Sequence, residues 1–377
     1  MLGQPKSETA RRQGSGSVSA TPDVFLREEQ MAVARDVLER FIGAQNTRLA
    51  FISGSLAAGL GHGLSDIDIY VQVTDGDVPE TNHLQAGQMI HLNRISDAQI
   101  ETIRATCSEY SDTPGQRLQT DIDDASLTLA VRFAIGVPLV NTYTDLPSAE
   151  QSKLTIRRIL MNRNSYECAG LAEDVLGALQ ISDTLTAVQA SHMVVEAALE
   201  CVLAGAGDVY LGRKFQLRRS ARVPALRPVL DDLIASLRQP DLSMGLAEAR
   251  ELVLGRLLFS SHLIASALLD GWDEPLTAVP AFEDCRAQGG PLRSPWVIPV
   301  RFASRWGMSG PHIGYRVTES MVRLWRALDG RPAAALLSEL QGSGLRISAD
   351  VLEATVAQLV EKKAALWNVD AINCERG

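Results

Sequence analysis

The sequence predicts an α/β domain with a short mixed sheet, followed by an all-helical domain and a small third domain built on three helices. Three observations support this prediction. Strand and helix patterns alternate up to residue 148, apolar residues then recur at helical spacing to about 269, and three capped helices follow a stretch rich in proline and glycine. The predicted boundaries are a disordered tail over 1–20, domains over 21–148 and 149–272, a linker or extended segment over 273–314, and a domain over 315–370.

Composition restricts where such a protein works. The 377 residues are 46% hydrophobic, and 36 Lys and Arg against 45 Asp and Glu give a net charge of -9. This balance works against broad binding to nucleic acid or to an anionic membrane. Five scattered cysteines without a C-x-x-C pair fit a reducing cytoplasm. The first 20 residues lack the apolar core of a signal peptide, and polar residues interrupt the longest apolar run, Leu252–Leu269.

The first domain begins with helical and then strand-like patterns. Thr21-Pro22 is typical of a helix start, and an apolar stripe at helical spacing extends from Phe25 to Ile42. Strands are predicted at Leu49–Ile52 and, after a glycine-rich turn, along the alternating residues up to Val73. A third short strand is predicted over 89–93.

The most informative stretch runs from Phe51 to Val71 and reads as strand, glycine-rich turn and strand. Period two places Asp66 and Asp68 on one strand face, about 6.5 Å apart, so both carboxylates can reach one hard cation. Acidic residues at a strand end are also often simply solvated. The preceding turn, Ser53-Gly54-Ser55, offers backbone N–H groups and hydroxyls to phosphate oxygens that such a cation would bridge.

Gly54-Ser55, Gly59 and Ser65-Asp66-Ile67-Asp68 resemble the signature of the nucleotidyltransferase superfamily, which includes DNA polymerase β and the aminoglycoside nucleotidyltransferases. The resemblance covers about residues 22 to 145. It implies an α/β nucleotidyltransferase domain in which Asp66 and Asp68 are catalytic and hold Mg²⁺ or Mn²⁺. It also implies that Ser53, Gly54, Ser55 and Ser65 bind an NTP, with ATP expected, and that a nucleoside monophosphate moves to a small-molecule acceptor as pyrophosphate leaves.

The helical domain is similar, more weakly, to that of kanamycin nucleotidyltransferase-like enzymes. This resemblance implies that Lys214 contacts the nucleotide phosphates, although a lysine at a helix end is commonly a solvated cation. Arginines cluster around it at 213, 218, 219 and 222. The antibiotic-modifying members of this family use a glutamate of the helical domain as general base, for which Glu167, Glu173 and Asp174 are candidates, each also readable as a solvated helix residue.

One position departs from the family pattern. The family takes a third carboxylate from the next strand, whereas this chain has His91 there, with Asn93 on the same strand face. Mg²⁺ prefers oxygen ligands, and Mn²⁺ accepts imidazole better. Three interpretations stay open: a site with one firmly held metal, His91 as a base acting on the acceptor, or a catalytically degenerate domain that binds nucleotide or serves as a scaffold.

The C-terminal helices begin at the caps Thr318 and Ser348, and Ala365-Leu366-Trp367 is a candidate terminal strand. This arrangement resembles a winged helix, and also the small PqqD-like modules that bind peptides. Residues 315–370 contain seven Lys and Arg and seven Asp and Glu, whereas a DNA reader normally has a basic face. We therefore expect a peptide or protein partner, or simple domain packing, for this module.

Overall fold

A computed structural model describes residue 23 and residues 25–76, 81–111, 119, 121–238, 243–311, 313–342 and 346–367. The predicted tail over 1–20 and the predicted helix start at Thr21-Pro22 lie outside the described residues, as does the chain beyond 367. Within the described residues the protein is a mixed α/β molecule. A sheet with helices on both faces comes first, and a helical bundle and a smaller C-terminal unit follow.

The N-terminal sheet is mixed, as the sequence predicts. Its strands are β1 (Thr47–Ser53), β2 (Ile67–Val73), β3 (Thr81–Gln85), β4 (Gln88–Arg94) and β5 (Val137–Asn141), in the order β3-β4-β2-β1-β5. Its helices are α1 (Glu28–Phe41), α2 (Asp97–Cys107) and α3 (Asp124–Ala134). The pair β2–β4 is parallel, and the other strand pairs are antiparallel. The parallel register places Asp68 directly beside His91.

Alternation along the strands separates the two faces of this sheet. On one face Ile52 and Ile69 pack with Val37 of α1 in a small buried cluster. On the other face Phe51 joins the larger core that contains residues of α2 and α3. This larger core continues through the bundle and into the C-terminal helices. The sheet is thus buried on both sides, and its polar residues gather where β1 ends and β2 begins.

The helices that follow the sheet form a bundle around two long apolar helices. Its helices are α4 (Ala149–Gln180), α5 (Thr184–Gly205), α6 (Gln216–Arg222), α7 (Leu230–Leu237) and α8 (Leu246–Asp270). Ser148 and Asp183 accept hydrogen bonds from backbone N–H groups at the starts of α4 and α5. By length and composition α5 and α8 could cross a membrane, but 78% and 89% of their most apolar windows are buried inside the protein. They pack here as core helices.

The C-terminal unit combines short strands and three helices. The strands are β6 (Leu292–Arg293), β7 (Ile298–Phe302), β8 (Arg305–Gly310), β9 (Ile313–Val317) and β10 (Ala365–Leu366). The helices are α9 (Glu319–Ala327), α10 (Ala333–Gly342) and α11 (Ala349–Glu361). Thr318 and Ser348 cap α9 and α11 as predicted. The predicted terminal strand is β10, which pairs antiparallel with β6.

The structure differs from the sequence expectation in three places. The segment 273–314 was expected to be a linker or an extended segment, yet β7, β8 and β9 form an antiparallel sheet there. Ile298 at the start of β7 joins the main core, together with Trp296 and Val297 just before the strand. Strand β3 was not predicted, because its sequence TNHLQ has a single strongly apolar residue, Leu84. The first helix begins at Glu28, and Phe25 precedes it in extended chain, where its ring fills the space that a side chain on Gly59 would need.

Candidate active site

The turn that follows β1 is shaped around a glycine. Gly54 has φ +88°, and a Cβ on it would lie 2.5 Å from Oδ2 of Asp68. A larger residue would therefore be strained and would collide with the carboxylate. Residues 54–60 form a compact turn, here called the glycine turn. Within it, the Ala58 N–H donates a hydrogen bond to the Gly54 carbonyl, and the Leu60 N–H donates one to the Ser55 carbonyl.

The two aspartates and His91 meet at the edge of the glycine turn. His91 Nδ1 lies 3.2 Å from Oδ1 of Asp68, and His91 Nε2 lies 4.0 Å from Oδ2 of Asp66. The Asp66 side chain is 47% exposed and that of Asp68 26%. The parallel register of β2 and β4 explains the contact, because it sets His91 next to Asp68. We call these three residues the carboxylate–imidazole cluster.

Burial raises the pKa of the Asp68 carboxyl above its ordinary value. The positive charge of Arg132 and the contact with His91 work in the opposite direction without cancelling the shift. Since the folded protein binds a proton at Asp68 more readily than the unfolded chain, ionising this carboxyl at neutral pH lowers the stability of the fold. A cation between the two carboxylates would offset that cost.

Arg132 and Tyr210 also belong to this site, and the sequence reasoning missed both. Arg132 Nη1 lies 3.3 Å from the point that a Gly54 Cβ would occupy. That nitrogen is buried and has no hydrogen-bond partner among the described residues, although the Tyr210 hydroxyl has a hydrogen bond with the Arg132 side chain. The Arg132 guanidinium carbon lies 5.9 Å from the centre of the Tyr210 ring, and burial raises the pKa of the Tyr210 hydroxyl. The sequence signal that could have identified Arg132 is that it is the one basic residue in the largely apolar helix α3.

The predicted phosphate-binding serines have different surroundings. Ser53 is fully buried, and its Oγ donates a 2.8 Å hydrogen bond to the carbonyl of Arg132. The Ser53 hydroxyl therefore already donates its hydrogen bond to a protein acceptor. Ser65 Oγ accepts a 2.9 Å bond from the backbone N–H of His62, which fixes the second part of the loop. Ser55 lies within the glycine turn and is partly exposed.

Lys214 lies in a short 3-10 helix just before α6, and its Nζ sits 4.7 Å from the centre of the Phe215 ring. No ion pair or hydrogen bond joins it to Asp66, Asp68 or His91 among the described residues. The structure thus brings Asp66, Asp68, His91 and Gly54 together, while Lys214 stands on the exposed surface of the helical domain.

The arginines around Lys214 are held by protein groups. Arg219 is fully buried and pairs with Glu200 and Asp208, each at 2.8 Å. Arg222 Nη1 donates to the Ala58 carbonyl, and Arg218 Nη1 donates to the Leu60 carbonyl, both at 2.9 Å. Helix α6 therefore holds the glycine turn by its carbonyl groups. The arginines of the basic patch seen in the sequence thus connect the bundle to the turn that follows β1.

The candidate general bases lie along α4. Glu167 forms an ion pair with Arg213 at 2.6 Å, and Arg213 also pairs with Glu196 at 2.9 Å. Glu173 and Asp174 are exposed. None of the three candidates has a hydrogen bond or ion pair to the carboxylate–imidazole cluster among the described residues.

The donor set suits a cation only in part. Among the described residues, no group of three or more His, Cys, Asp or Glu side chains is arranged as a complete metal centre. Asp66 and Asp68 offer the oxygens that Mg²⁺ prefers, and the costly buried charge of Asp68 favours a cation beside it. His91 supplies nitrogen where a third oxygen would be needed, which Mn²⁺ tolerates better than Mg²⁺. Two carboxylates fit one cation whose other ligands come from elsewhere.

Comparison with protein-family models gives no match, and comparison with curated proteins gives none either. Among solved structures, the chain is similar to a nucleotidyltransferase-like protein from Exiguobacterium sibiricum 255-15. The identity is 12%, the TM-score is 0.33, and the similarity covers 70% of this chain and 81% of that chain. The likeness is distant and transfers no residue role. The mixed α/β arrangement described above is compatible with a nucleotidyltransferase-like fold.

Proposed function

We propose that the protein is a divalent-cation-dependent nucleotidyltransferase. It would move a nucleoside monophosphate from an NTP such as ATP to a small-molecule acceptor and release pyrophosphate. The observation that supports this most is the convergence of the Asp68 carboxylate, the glycine turn and the unpartnered Nη1 of Arg132 at one point. A carboxylate that can hold a cation, next to a free guanidinium nitrogen, is a suitable receptor for a metal-bound triphosphate.

Each residue has a role in this proposal. Asp66 and Asp68 hold Mg²⁺ or Mn²⁺, which when bound neutralises phosphate charge and orients the triphosphate. Arg132 donates to a phosphate oxygen, and Ser55 and the backbone of the glycine turn bind the same group. The acceptor oxygen attacks the α-phosphorus in line and forms a new P–O bond, while the bond from the α-phosphorus to the bridging oxygen breaks. His91 accepts the proton of the acceptor hydroxyl, and pyrophosphate leaves.

The proposal is tested by measuring pyrophosphate release with Mg²⁺ or Mn²⁺, a panel of NTPs and a panel of hydroxyl and carboxyl acceptors. We expect Asp66→Asn and Asp68→Asn each to lower the rate by about 100-fold or more, because the cation loses a ligand. Asp231→Asn is the matched control, since Asp231 is exposed on α7, away from the cluster. If both site variants turn over like the parent, the proposed function is wrong.

A second function is favoured by the contact of His91 with Asp68. The imidazole lies 3.2 Å from the Asp68 carboxylate, at the strand position where the family resemblance implies a third metal-binding carboxylate. The alternative is therefore a catalytically degenerate protein that binds nucleotide or acts as a scaffold, with the C-terminal unit contacting a peptide or protein. His91→Asp separates the two ideas: a rise in pyrophosphate release supports the degenerate site, whereas loss of an existing activity supports His91 as a working base.

A further inference from the structure

The side chain of Tyr210 lies between two arginines where the bundle meets the candidate active site. Tyr210 belongs to the segment that connects α5 to α6, and it is only 5% exposed. The centre of its ring lies 5.9 Å from the guanidinium carbon of Arg132 in α3 and 5.7 Å from that of Arg219 in α6. Both distances are within the range of cation–π contacts. A ring from the bundle thus contacts the arginine that lies beside the glycine turn.

The two arginines differ in what else holds them. Arg219 pairs with Glu200 and Asp208, each at 2.8 Å, so protein carboxylates fix its position. Among the described residues no carboxylate forms an ion pair with Arg132, and the charge of Asp68 acts on it from a greater distance. The contact with the tyrosine ring therefore matters more for the orientation of Arg132 than for that of Arg219.

The backbone and the side chain of Arg132 are held by different residues. Its carbonyl accepts the 2.8 Å hydrogen bond from the Ser53 hydroxyl, which fixes the backbone. An arginine side chain has large rotamer entropy, so a single orientation of the guanidinium requires further contacts. The Tyr210 hydroxyl has a hydrogen bond with this side chain. Because a guanidinium only donates hydrogen bonds, the tyrosine oxygen is the acceptor.

This contact leaves the charge and one nitrogen of Arg132 unused. Burial raises the pKa of the Tyr210 hydroxyl, so the phenol is neutral at neutral pH and does not cancel the charge of the guanidinium. Nη1 of Arg132 has no hydrogen-bond partner among the described residues, and it lies 3.3 Å from the point that a Gly54 Cβ would occupy. The free nitrogen is thus directed to the space beside the glycine turn.

The bundle in turn fixes the ring of Tyr210. The Phe215 ring packs edge-on against it, with 5.8 Å between the ring centres. Gly212 has φ +130°, and a Cβ on it would lie 3.3 Å from Cε1 of Tyr210, so a glycine leaves room for the ring there. Asp208, two residues before the tyrosine, pairs with Arg222 at 2.7 Å. The segment between α5 and α6 therefore presents the ring in a defined position.

We propose that Tyr210 is a positioning residue, which holds the Arg132 guanidinium in the orientation that directs Nη1 to the space beside Gly54 and Asp68. This inference rests on the proposed function, in which Arg132 donates to a phosphate oxygen. It adds that the bundle orders the phosphate-binding side chain before a nucleotide arrives. Binding to an ordered side chain costs less conformational entropy than binding to a mobile one. Tyr210 acts through Arg132 and is not a catalytic residue.

A double-mutant cycle of Tyr210→Phe and Arg132→Gln tests the proposal by calorimetric titration of Mg-ATP, or of the Mg-NTP that the panel above selects. Tyr210→Phe removes only the hydroxyl, and we expect affinity to fall by about three- to tenfold, as for one lost hydrogen bond. In the Arg132→Gln background the same substitution should change affinity by less than about twofold. In turnover KM should rise while kcat stays within about twofold, because the weakened phosphate contact exists before and during the reaction.

Tyr143→Phe is the control for the loss of a tyrosine hydroxyl. Tyr143 also lies over an arginine, with its ring centre 5.0 Å from the guanidinium carbon of Arg48, and its hydroxyl donates a 2.7 Å hydrogen bond to Gln72. It has no hydrogen bond or ion pair to the carboxylate–imidazole cluster among the described residues. We therefore expect Tyr143→Phe to leave nucleotide affinity unchanged.

Gly212→Ala is a second variant, which reaches the Tyr210 ring from another side. The added methyl group would press on the ring and move it relative to Arg132. Nucleotide affinity should fall in Gly212→Ala, and this loss should again disappear in the Arg132→Gln background. The variant keeps the hydroxyl, so the two substitutions disturb the same contact by different means.

A measurement without nucleotide separates this proposal from the proposed function. The Nε–Hε NMR resonance of Arg132, identified by its absence in Arg132→Gln, should shift in Tyr210→Phe and stay in place in Tyr143→Phe. An unchanged resonance in Tyr210→Phe overturns the positioning role, and so does a loss of affinity that persists in full in the Arg132→Gln background. If the parent protein binds no NTP of the panel, the proposed function is wrong, while the resonance still decides whether Tyr210 orients Arg132.

Discussion

Two sets of arginines lie beside the glycine turn, and they differ in what their guanidinium groups contact. Those of α6 are engaged by the protein: Arg219 by Glu200 and Asp208, and Arg222 by Asp208 and the Ala58 carbonyl. Arg132, from α3, has a buried Nη1 without a hydrogen-bond partner among the described residues. The difference indicates that Arg219 and Arg222 hold the fold together here, while Arg132 keeps one nitrogen that a ligand could use.

The comparison also shows why charge density in the sequence is a poor guide to phosphate binding. A guanidinium whose donors are saturated by carboxylates and carbonyls has little to offer a substrate. Charge near a site is therefore informative only together with the list of donors that remain unused. The expected effects of the following substitutions decrease in the order in which they are given.

The strongest test of the structural role of α6 is Arg219→Ala. Because this side chain is fully buried between two acids, its loss leaves Glu200 and Asp208 short of a partner. We expect the free energy of unfolding to fall by about 3–5 kcal/mol, measured by urea titration. A loss below 1 kcal/mol, on the order of a surface pair, would mean that the buried cluster is not the joint described here.

The strongest test of a ligand role for Arg132 is Arg132→Gln. We expect Mg-NTP or Mn-NTP affinity to fall by about 10- to 100-fold, as for a lost charge-assisted hydrogen bond. Stability should fall less than in Arg219→Ala, because Nη1 has no protein acceptor and only the Tyr210 hydrogen bond and the charge beside Asp68 are lost. Titration calorimetry gives the affinity, and urea unfolding gives the stability.

Arg222→Gln is the matched control for this variant. This substitution should lower stability, because the contacts with Asp208 and the Ala58 carbonyl are lost. It should reduce nucleotide affinity less than Arg132→Gln does. If the two variants exchange these phenotypes, the assignment of ligand and structural arginines must be reversed.

The smallest effect is expected for Lys214→Gln. The ammonium group lies over the Phe215 ring at the surface, where a cation–π contact contributes about 0.5–1 kcal/mol. Nucleotide affinity should change by less than about threefold. A loss of tenfold or more, measured in the same titration, would restore the phosphate role that the sequence resemblance assigns to Lys214.

Much of the site region could be predicted because it depends on local pattern. The alternation of apolar and polar residues identifies β2, and the spacing of Asp66 and Asp68 predicts that their carboxylates lie close together. The contact with His91 follows once β4 is placed parallel to β2. Helix caps at Thr318 and Ser348 were equally local, since a hydroxyl three residues before its N–H partner is a short-range signal.

The missed features depend on long-range packing. The Ser53 hydroxyl is occupied by a carbonyl 79 positions away in sequence, and Arg132 enters the site only because α3 packs against the sheet. The sheet of β7, β8 and β9 is built from short strands in which proline and glycine mask the alternation. Composition alone cannot distinguish such strands from a linker, because their stability comes from burial against α4 and α8.

The hydrogen bonds from α6 to the glycine turn have a consequence for biogenesis. Arg222 and Ala58 are separated by 164 positions, so a ribosome must complete the sheet domain and more than two helices of the bundle before they can meet. Until then the carbonyl groups of the turn are hydrated. The candidate active site therefore acquires its final contacts late in folding, and a fragment that ends before α6 lacks the hydrogen bonds that α6 donates to the glycine turn.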